Sequence, residues 1–316
     1  MKPLLQLVPD DEGFAPDLHR ALRQRPRTIS PKYFYDEAGS ALFERICELP
    51  EYYPTRTELA LLQRHAPEMA ALIGPGAQLV EYGAGALRKV RLLLAHLDAP
   101  HSFVPVDISG PHLLAACGTL QAEFPALALQ PVIADFTRPH DLPARPALGR
   151  RIGFFPGSSI GNFAPEQALD FLRMAAQQLR GGALLIGVDL IKEPALLHAA
   201  YNDAAGVTAA FNLNILARAR QELGAQIDPE GFAHSAFYNA PLQRIEMHLQ
   251  SRRRQQLRLE HRVYEFEDGE TLHTENSYKF SIEGFQALAG KAGFKAATVW
   301  TDERDWFSLH WLQAPD

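Results

Sequence analysis

The sequence is poor in cysteine and has no surplus of positive charge. Only two cysteines occur among its 316 residues, Cys47 and Cys117, and neither has a CxxC partner or the spacing of a zinc-ligand set. We therefore expect no metal centre, and we expect a reducing compartment, the cytoplasm, as the location. The formal net charge of -6 at pH 7 offers no basic excess to neutralise phosphates, which argues against a nucleic-acid partner.

Long hydrophobic runs are missing too. The longest apolar stretches, such as residues 183–188, are far shorter than the roughly 20 residues that a membrane-spanning helix needs. The first residues soon reach the acidic run Asp10-Asp11-Glu12 and are unlike a signal peptide. We predict a monomer that does not contact membranes and whose partner is a small molecule.

The first two thirds of the chain alternate short apolar runs with helix-like segments. The apolar runs occupy residues 78–82, 103–108, 129–134, 151–156 and 183–190. Such runs, separated by segments of helical periodicity, are typical of buried parallel strands joined by crossover helices. This part of the sequence therefore predicts an α/β fold with a doubly wound parallel sheet.

The pattern changes after residue 193. It predicts a helix at 194–223, a β-meander at 242–266 and a strand at 271–280. A second helix at 282–292 and two closing antiparallel strands at 297–301 and 306–312 follow. Because residues 193–279 are too many for a loop, we expect an inserted subdomain that packs with the first 57 residues. A parallel sheet that ends in an antiparallel hairpin is typical of Rossmann-like methyltransferases, whereas a nicotinamide-binding domain usually ends in a sixth parallel strand.

A glycine-rich turn follows the first predicted strand. Gly83 and Gly85 end the run Val80-Glu81-Tyr82, and glycines at this place let the backbone approach a bulky ligand. Asp107 ends the next strand, where a carboxylate can accept hydrogen bonds from both hydroxyls of a ribose. Arg88 occupies the place of the third glycine in the dinucleotide fingerprint. The pattern therefore favours a cofactor without a pyrophosphate, such as S-adenosylmethionine (SAM), over a nicotinamide dinucleotide.

Further along the chain, other strand ends carry candidate ligand-binding residues. Asp135 and Phe136 follow the third strand, where the carboxylate can bind an adenine amine and the ring can lie beside the base. Asn162 ends a loop of small residues after the fourth strand, and its amide can both donate and accept; a plain loop turn is the alternative interpretation. Glu275 and Ser277 are two residues apart in a strand and so share one face, although Glu275 can also be a salt-bridged surface carboxylate.

Several longer strings of the sequence are distinctive. They lie at residues 34–36, 49–58, 157–162, 200–212, 244–247, 274–277 and 300–302. The most specific are Leu-Pro-Glu-Tyr-Tyr-Pro-Thr-Arg at 49–56 and Ala-Ala-Gly-Val-Thr-Ala-Ala-Phe-Asn at 204–212. Together these strings resemble the SAM-dependent, histidine-specific methyltransferase family, and the resemblance runs from about Tyr33 nearly to the C-terminus.

The resemblance implies a Rossmann-like SAM-dependent methyltransferase fold with an inserted α+β substrate-binding subdomain. Residues 58–192 plus 281–316 would form the SAM-binding domain, and residues 1–57 plus 193–280 the substrate-binding domain. The implied reaction is trimethylation of the α-amino group of L-histidine to hercynine, as in ergothioneine biosynthesis, with S-adenosylhomocysteine as the other product.

The resemblance also implies roles for individual residues. Those at the family's cofactor positions, with the second glycine of the turn, are Gly83, Gly85, Lys89, Asp107, Asp135 and Phe136. Those at its histidine positions are Tyr52, Asn162, Tyr201, Met247, Glu275 and Ser277, with Tyr35 as their neighbour. Asn162 and Tyr201 would hold the amino and carboxylate groups of the substrate and, with Tyr35, make up the implied catalytic set. Glu275 and Ser277 would bind the imidazole, which offers one donor and one acceptor.

One stretch departs from the family pattern. The usual turn is Gly-Ser-Gly-Thr-Ser-Glu-Lys-Thr-Arg, whereas residues 83–91 here are Gly-Ala-Gly-Ala-Leu-Arg-Lys-Val-Arg. Lys89 and both glycines remain, so we expect SAM to bind with an altered contact at its methionine end.

Two alternatives stay open at this point. One is the same chemistry on another amino acid, such as a tryptophan derivative, and the other is a SAM-binding pseudoenzyme without turnover.

Overall fold

The structure is a computed structural model that describes residues 4–5 and 13–316. Its strands are β1 (Leu4–Leu5), β2 (Arg27–Thr28), β3 (Gln78–Tyr82), β4 (Ser102–Asp107), β5 (Val132–Ile133), β6 (Arg151–Phe155), β7 (Ala183–Asp189), β8 (Phe232–Asn239), β9 (Arg244–Ser251), β10 (Gln255–Leu259), β11 (Arg262–Phe266), β12 (Thr271–Tyr278), β13 (Lys295–Thr301) and β14 (Phe307–Gln313). Its α-helices are α1 (Phe14–Arg23), α2 (Glu37–Glu48), α3 (Tyr53–Ile73), α4 (Val90–Leu94), α5 (Gly110–Glu123), α6 (Pro165–Gln178), α7 (Pro194–Tyr201), α8 (Val207–Leu223) and α9 (Ile282–Lys291). Short 3-10 helices lie at Pro31–Phe34, Ser159–Asn162, Pro229–Gly231 and Ala240–Leu242. Within the described ranges, no helix is both long enough and apolar enough to cross a membrane.

The chain divides into two compact units. Of the described residues, the larger unit contains 4–5, 54–191 and 279–316, and the second unit contains 13–53 and 192–278. Strand β1 pairs in parallel with β5 and so extends the larger sheet, whereas the sequence analysis grouped the first 57 residues with the substrate-binding domain. The assignment of the larger unit to the cofactor and of the second unit to the substrate stays a prediction.

The larger unit is built on one eight-stranded sheet. Its strand order is β1-β5-β4-β3-β6-β7-β14-β13, and β14 runs antiparallel to both β7 and β13. The neighbouring pairs from β1 to β7 are all parallel. This order, with its closing antiparallel hairpin, confirms the Rossmann-like methyltransferase fold.

Helices cover both faces of this sheet, and its central strands are mostly apolar. Strands β3, β6 and β7 are buried along their whole length. Since side chains alternate along a strand, Leu79 packs into one core with α3, α4 and α5, and Val80 packs into another with α6 and α9. Parallel strands buried on both faces are what the uninterrupted apolar runs predict.

The third predicted strand is shorter than expected. The apolar run covers residues 129–134, but only Val132 and Ile133 form β5. Pro131 lacks the backbone N–H that a ladder needs, so Leu129 makes only an isolated bridge with Phe103 on the N-terminal side of the proline.

The second unit has a four-stranded sheet in the order β2-β12-β9-β8. Strands β8, β9 and β12 pair antiparallel, and β2 joins β12 in parallel. The predicted β-meander over 242–266 is therefore wrong in its pairing, because β10 and β11 form a separate two-stranded hairpin. Helix α8 packs against β8 and β9 on one side of the sheet and against α2.

Residues 194–223 form two helices, α7 and α8, and not the single predicted helix. Gly206 adopts φ 71° immediately before α8, a left-handed conformation that ends helical continuity. The Asp203 carboxylate accepts hydrogen bonds from the amides of Val207 and Thr208, each at 2.8 Å, and so caps the new helix. Burial opposes ionisation of Asp203, but these bonds outweigh it and lower the pKa of the carboxyl.

We expect the larger unit to lose stability as the pH decreases, because a histidine on β14 is buried in its neutral form. His310 is fully buried, its Nε2 atom lies 2.9 Å from Ser308 Oγ, and burial lowers its pKa to about 4. Since the unfolded chain binds the proton at about pH 6.5, stability is lost as the pH falls from there towards 4, by about 2 kcal/mol between pH 7 and pH 5. Urea unfolding at both pH values should show a smaller loss for His310→Phe. An equal loss in wild type and variant would show that other groups carry the effect.

Candidate functional site

Four loops leave the carboxyl ends of parallel strands at one edge of the larger sheet. They follow β3, β4, β5 and β6, which are neighbours in the sheet. The predicted site residues on these loops and strand ends are Gly83, Gly85, Lys89, Asp107, Asp135, Phe136 and Asn162. In open α/β sheets, ligands bind outside this edge.

The turn after β3 needs glycine for two separate reasons. Gly83 and Gly85 have φ 68° and 50°, which side chains rarely tolerate. The Gly83 amide donates to the Val106 carbonyl at 2.9 Å, and a Cβ atom on Gly83 would lie 3.1 Å from Cε1 of Phe136. Leu87, in the part that departs from the family pattern, is buried and also has a positive φ of 56°, so the altered turn is strained there.

Replacement of Gly83 by alanine should weaken cofactor binding. The new methyl group would strain the left-handed backbone and push the Phe136 ring, so we expect the Kd for SAM to rise about tenfold, which corresponds to about 1.4 kcal/mol. Titration calorimetry measures the change. Gly76→Ala is a matched control, because Gly76 has φ 65° and an added Cβ atom would have no neighbour within 4 Å, so the variant should lose similar stability but keep the affinity. Equal losses of affinity in both variants would contradict a specific role of this turn.

Asp107 is held in place by two backbone amides. Its Oδ2 atom accepts from the Gly85 amide at 3.0 Å, and its Oδ1 atom accepts from the Ser109 amide at 2.9 Å. Burial raises the pKa of this carboxyl, and the amides of Ser109 and Gly85 oppose the rise. Each carboxylate oxygen keeps a second lone pair, so both oxygens can still accept a hydroxyl of a ribose.

Asp135 and Phe136 follow β5 directly. Asp135 Oδ1 accepts from the Thr137 amide at 3.0 Å and from its hydroxyl at 2.5 Å, which fixes the carboxylate against its own loop. The ring of Phe136 packs edge-on against Phe155 and lies next to the Gly83 turn. A flat ligand beside this ring would meet both an aromatic side chain and a carboxylate.

Lys89 forms an ion pair that the sequence analysis did not predict. Its Nζ atom lies 2.6 Å from Oε2 of Glu58, a fully buried residue of α3. The same carboxylate accepts a hydrogen bond from the Gly157 amide at 2.9 Å. Glu58 thus joins the turn after β3 to the loop after β6. It ends the distinctive string at 49–58, which was the one available signal of its importance.

Glu81 is a second functional candidate that the sequence analysis missed. It lies two residues before Gly83, it is buried, and its Oε2 atom has no hydrogen-bond partner among the described residues. Burial raises its pKa well above the usual range, while Lys89 lowers it and Glu58 raises it further. An unpartnered buried carboxyl group at a ligand-binding edge is available to a ligand.

Asn162 closes the loop after β6. Gly157 and Ser158 have φ 82° and 54°, and the chain then forms the 3-10 helix that ends at Asn162. Ser158 Oγ accepts from the Asp189 amide at 2.9 Å, which ties the loop to the end of β7. The loop is therefore fixed by backbone geometry, and the role of Asn162 as a substrate ligand stays a prediction.

In the second unit, the sheet brings Glu275, Ser277 and Met247 together. A bulge between His273 and Glu275 resets the register, so that Glu275 pairs with Met247 and Ser277 pairs with Ile245. Glu275 and Ser277 therefore share one face of β12, with side chains that are 9% and 5% exposed, and Met247 is 1% exposed. This burial argues against the alternative that Glu275 is a surface carboxylate.

Tyr201 and Tyr52 are neighbours of this strand. The Tyr201 hydroxyl, at the end of α7, donates to Ser277 Oγ at 2.7 Å. The rings of Tyr52 and Tyr201 meet edge-on with centroids 6.4 Å apart. Burial, and then the nearby Tyr201, raise the pKa of Tyr52 well above its usual range, so its phenol stays protonated and is a donor near neutral pH.

Tyr35 belongs to an aromatic cluster of the second unit. Its ring packs edge-on against Phe43 at 5.6 Å and against Phe211 at 5.8 Å, and Phe43 in turn meets Tyr52. Phe43 and Phe211 were not predicted as site residues, although Phe211 lies in the distinctive string at 204–212. The predicted residues Tyr35, Tyr52 and Tyr201 are therefore linked through aromatic contacts.

A cluster of three potential metal ligands lies in the second unit, and the expectation of no metal centre stays a prediction. One potential ligand atom each from Glu246, His248 and His273 lie within 4.8 Å of one another. Hydrogen bonds already occupy the carboxylate, because Arg244 donates to Oε1 and His248 Nε2 lies 3.0 Å from Oε2. The rings of His248 and His273 stack at 18°, so their lone pairs do not converge on one point. This arrangement fits a hydrogen-bonded ion pair better than a metal centre.

The chain is similar to known proteins over nearly its whole length. Residues 14–314 match the family described as "Histidine-specific methyltransferase, SAM-dependent". The chain is 41% identical over 304 residues to the histidine N-alpha-methyltransferase of Mycolicibacterium smegmatis, with 94% of each chain covered. It is 31% identical over 307 residues to ergothioneine biosynthesis protein 1 of Neurospora crassa, which covers 91% of this chain and 33% of that protein. At 24% identity over 331 residues, it also matches the 4-dimethylallyltryptophan N-methyltransferase easF of Claviceps purpurea, with 93% and 92% covered.

Proposed function

Because this chain belongs to the SAM-dependent, histidine-specific methyltransferase family, we propose that it methylates the α-amino group of L-histidine. The reaction would consume three molecules of SAM and form hercynine, N,N,N-trimethyl-L-histidine, together with S-adenosylhomocysteine. The relative at 41% identity is a histidine N-alpha-methyltransferase, and the match covers 94% of both chains. The observation that carries the proposal is the buried pair Glu275 and Ser277 on one face of β12.

The residues at the edge of the larger sheet fit SAM. A Cβ atom on Gly83 would fill the space against Phe136, Asp107 keeps acceptor capacity on both oxygens, and Glu81 presents an unpartnered oxygen among the described residues. We propose that Asp107 binds the ribose hydroxyls, that Asp135 and Phe136 hold the adenine, and that Gly83, Gly85 and Lys89 lie at the methionine end. When bound, SAM supplies a sulfonium methyl group, an electrophile for a neutral amine.

The second unit supplies groups that match an imidazole. An imidazole ring carries one N–H donor and one acceptor nitrogen. The Glu275 carboxylate suits the N–H, and the Ser277 hydroxyl, which already accepts from Tyr201, can donate to the other nitrogen. An apolar side chain in the same place offers neither a donor to the carboxylate nor an acceptor to the hydroxyl. This asymmetry favours histidine over apolar amino acids.

The aromatic residues support the later stages of the reaction. Each methylation makes the substrate nitrogen more substituted, and the final product carries a permanent positive charge. Rings such as those of Tyr52 and Tyr201 tolerate a quaternary ammonium group through their negative faces. Since burial raises the pKa of Tyr52, its phenol keeps its own proton near neutral pH and is not the base that deprotonates the amine.

The direct test is mass spectrometry of the protein incubated with methyl-labelled SAM and a mixture of the twenty amino acids. We expect one product, histidine with three labelled methyl groups. Methylation of tryptophan or of another amino acid would keep the chemistry and refute the substrate. SAM binding by calorimetry without any methylated product would refute the proposed activity and leave a cofactor-binding pseudoenzyme.

A further inference from the structure

A buried polar chain in the second unit runs behind the residues proposed to bind histidine. Its centre is Asn212 of α8, whose side chain is fully buried. Asn212 Oδ1 accepts from the Thr274 hydroxyl at 2.7 Å. Asn212 Nδ2 lies 3.0 Å from the carbonyl of His248 and 2.9 Å from Nδ1 of His234. The Asn212 amide thus contacts the side chain of His234 on β8, the backbone of β9 and a side chain of β12.

These contacts fix the proton on His234. The carbonyl of His248 can only accept, so the nitrogen of the Asn212 amide must face it. The same NH2 group then donates to Nδ1 of His234, which must be unprotonated. The remaining proton lies on Nε2, which donates to the carbonyl of Tyr201 at 2.9 Å. Burial lowers the pKa of His234, in agreement with a neutral ring.

The hydrogen bonds of Asn212 and His234 support the proposed imidazole site from two sides. Through His234, Asn212 fixes the backbone of Tyr201, whose hydroxyl bonds to Ser277. Through Thr274, it fixes the residue next to Glu275, at the bulge that sets the register of β12. Tyr201 and Glu275 are otherwise carried by different elements, a helix end and a strand. A shared buried partner is what would keep their separation constant.

We propose that Asn212 and His234 are positioning residues for histidine recognition, which fix Tyr201 and the Glu275–Ser277 strand relative to each other. This inference rests on the proposed function. It predicts that removing these hydrogen bonds impairs the use of histidine and leaves the use of SAM unchanged. The Asn212 amide, the His234 imidazole and the residues that they contact all lie within the second unit.

Steady-state kinetics of Asn212→Ala and His234→Phe test the proposal, with histidine and SAM varied in turn. We expect kcat/KM for histidine to fall about tenfold or more in both variants, with the KM for SAM within about twofold of wild type. His234→Gln should recover part of the loss, because a glutamine offers one donor and one acceptor at similar spacing. His310→Phe is the matched control, a buried histidine of the other sheet whose loss should not affect the KM for histidine.

A tautomer measurement tests the same proposal without catalysis. In protein with ¹⁵N-labelled histidine, the signals that His234→Gln removes should be those of a neutral ring protonated on Nε2 at pH 7. A ring protonated on Nδ1 would refute the hydrogen-bond chain, and so would unchanged histidine kinetics in both variants or equal losses for SAM. Wild-type protein that fails to methylate histidine would instead refute the proposed function, with the tautomer still to decide the geometry.

Discussion

Replacement of Glu275 by alanine should reduce kcat/KM for histidine by about a thousandfold. The carboxylate is 9% exposed and lies on the same face of β12 as Ser277. Without it, the imidazole N–H of the substrate would be buried without a partner, and a charge-assisted hydrogen bond would be lost. Together these effects are expected to amount to about 4 kcal/mol, which is about three factors of ten. Initial rates with histidine varied at saturating SAM measure the change.

Glu275→Gln is the matched control for this prediction. Glutamine keeps the shape and one acceptor oxygen, so we expect a loss of only about tenfold, because a neutral acceptor replaces a charged one. Any residual activity on phenylalanine, which lacks an imidazole N–H, should not fall in Glu275→Ala. If alanine and glutamine reduce histidine turnover equally, or if the melting temperature falls with the activity, the residue acts on folding and not on recognition.

Replacement of Glu58 by alanine should lower the free energy of unfolding by about 3 kcal/mol. The carboxylate is fully buried and binds Lys89 Nζ at 2.6 Å and the Gly157 amide at 2.9 Å. Removing one partner of a buried ion pair leaves the other charge without compensation, which is costly even where the intact pair contributes little. The Gly157 amide would lose its acceptor in addition. Urea unfolding followed by circular dichroism measures the difference.

Glu123→Ala provides the comparison for Glu58→Ala. Glu123 pairs with Arg91 on the surface, and both side chains are substantially exposed, at 44% and 24%. An exposed pair contributes little, so we expect a change of no more than about 0.5 kcal/mol. Calorimetry should also show weaker SAM binding in Glu58→Ala only, because Lys89 and the Gly157 loop lose their common partner. Similar destabilisation in both variants would contradict the structural importance assigned to the buried pair.

The strands and helices of the larger unit could be predicted because each carries a local signal. The runs that became β3, β6 and β7 are mostly apolar and are buried along their whole length, and glycine or proline lies next to each of them. The single helix expected at 194–223 was wrong because Gly206 adopts a left-handed conformation and Asp203 caps a new helix, α8. The meander at 242–266 was wrong in pairing, since strand partners are chosen by contacts between distant residues and not by periodicity.

The candidate site shows the same limit. The residues at strand ends, such as Asp107 and Asp135, could be predicted because topology alone puts the ends of parallel strands at one edge. Glu58 and Asn212 could not be assigned a role, although both lie in distinctive strings, because their importance comes from partners far away in the sequence. Glu58 meets Lys89 and Gly157, and Asn212 meets His234 and Thr274. No periodicity or spacing encodes such contacts.

The division of each unit into separated chain segments has a consequence during synthesis. Strand β2, which leaves the ribosome early, pairs with β12, which is made after the central part of the larger unit. The larger sheet also depends on a late strand, because β14 lies between β7 and β13 and follows both in the sequence. Neither sheet can be completed until these later strands, β12 and β14, have been made. A nascent chain therefore has unpaired strand edges, which favour aggregation, until β12 and β14 have been made.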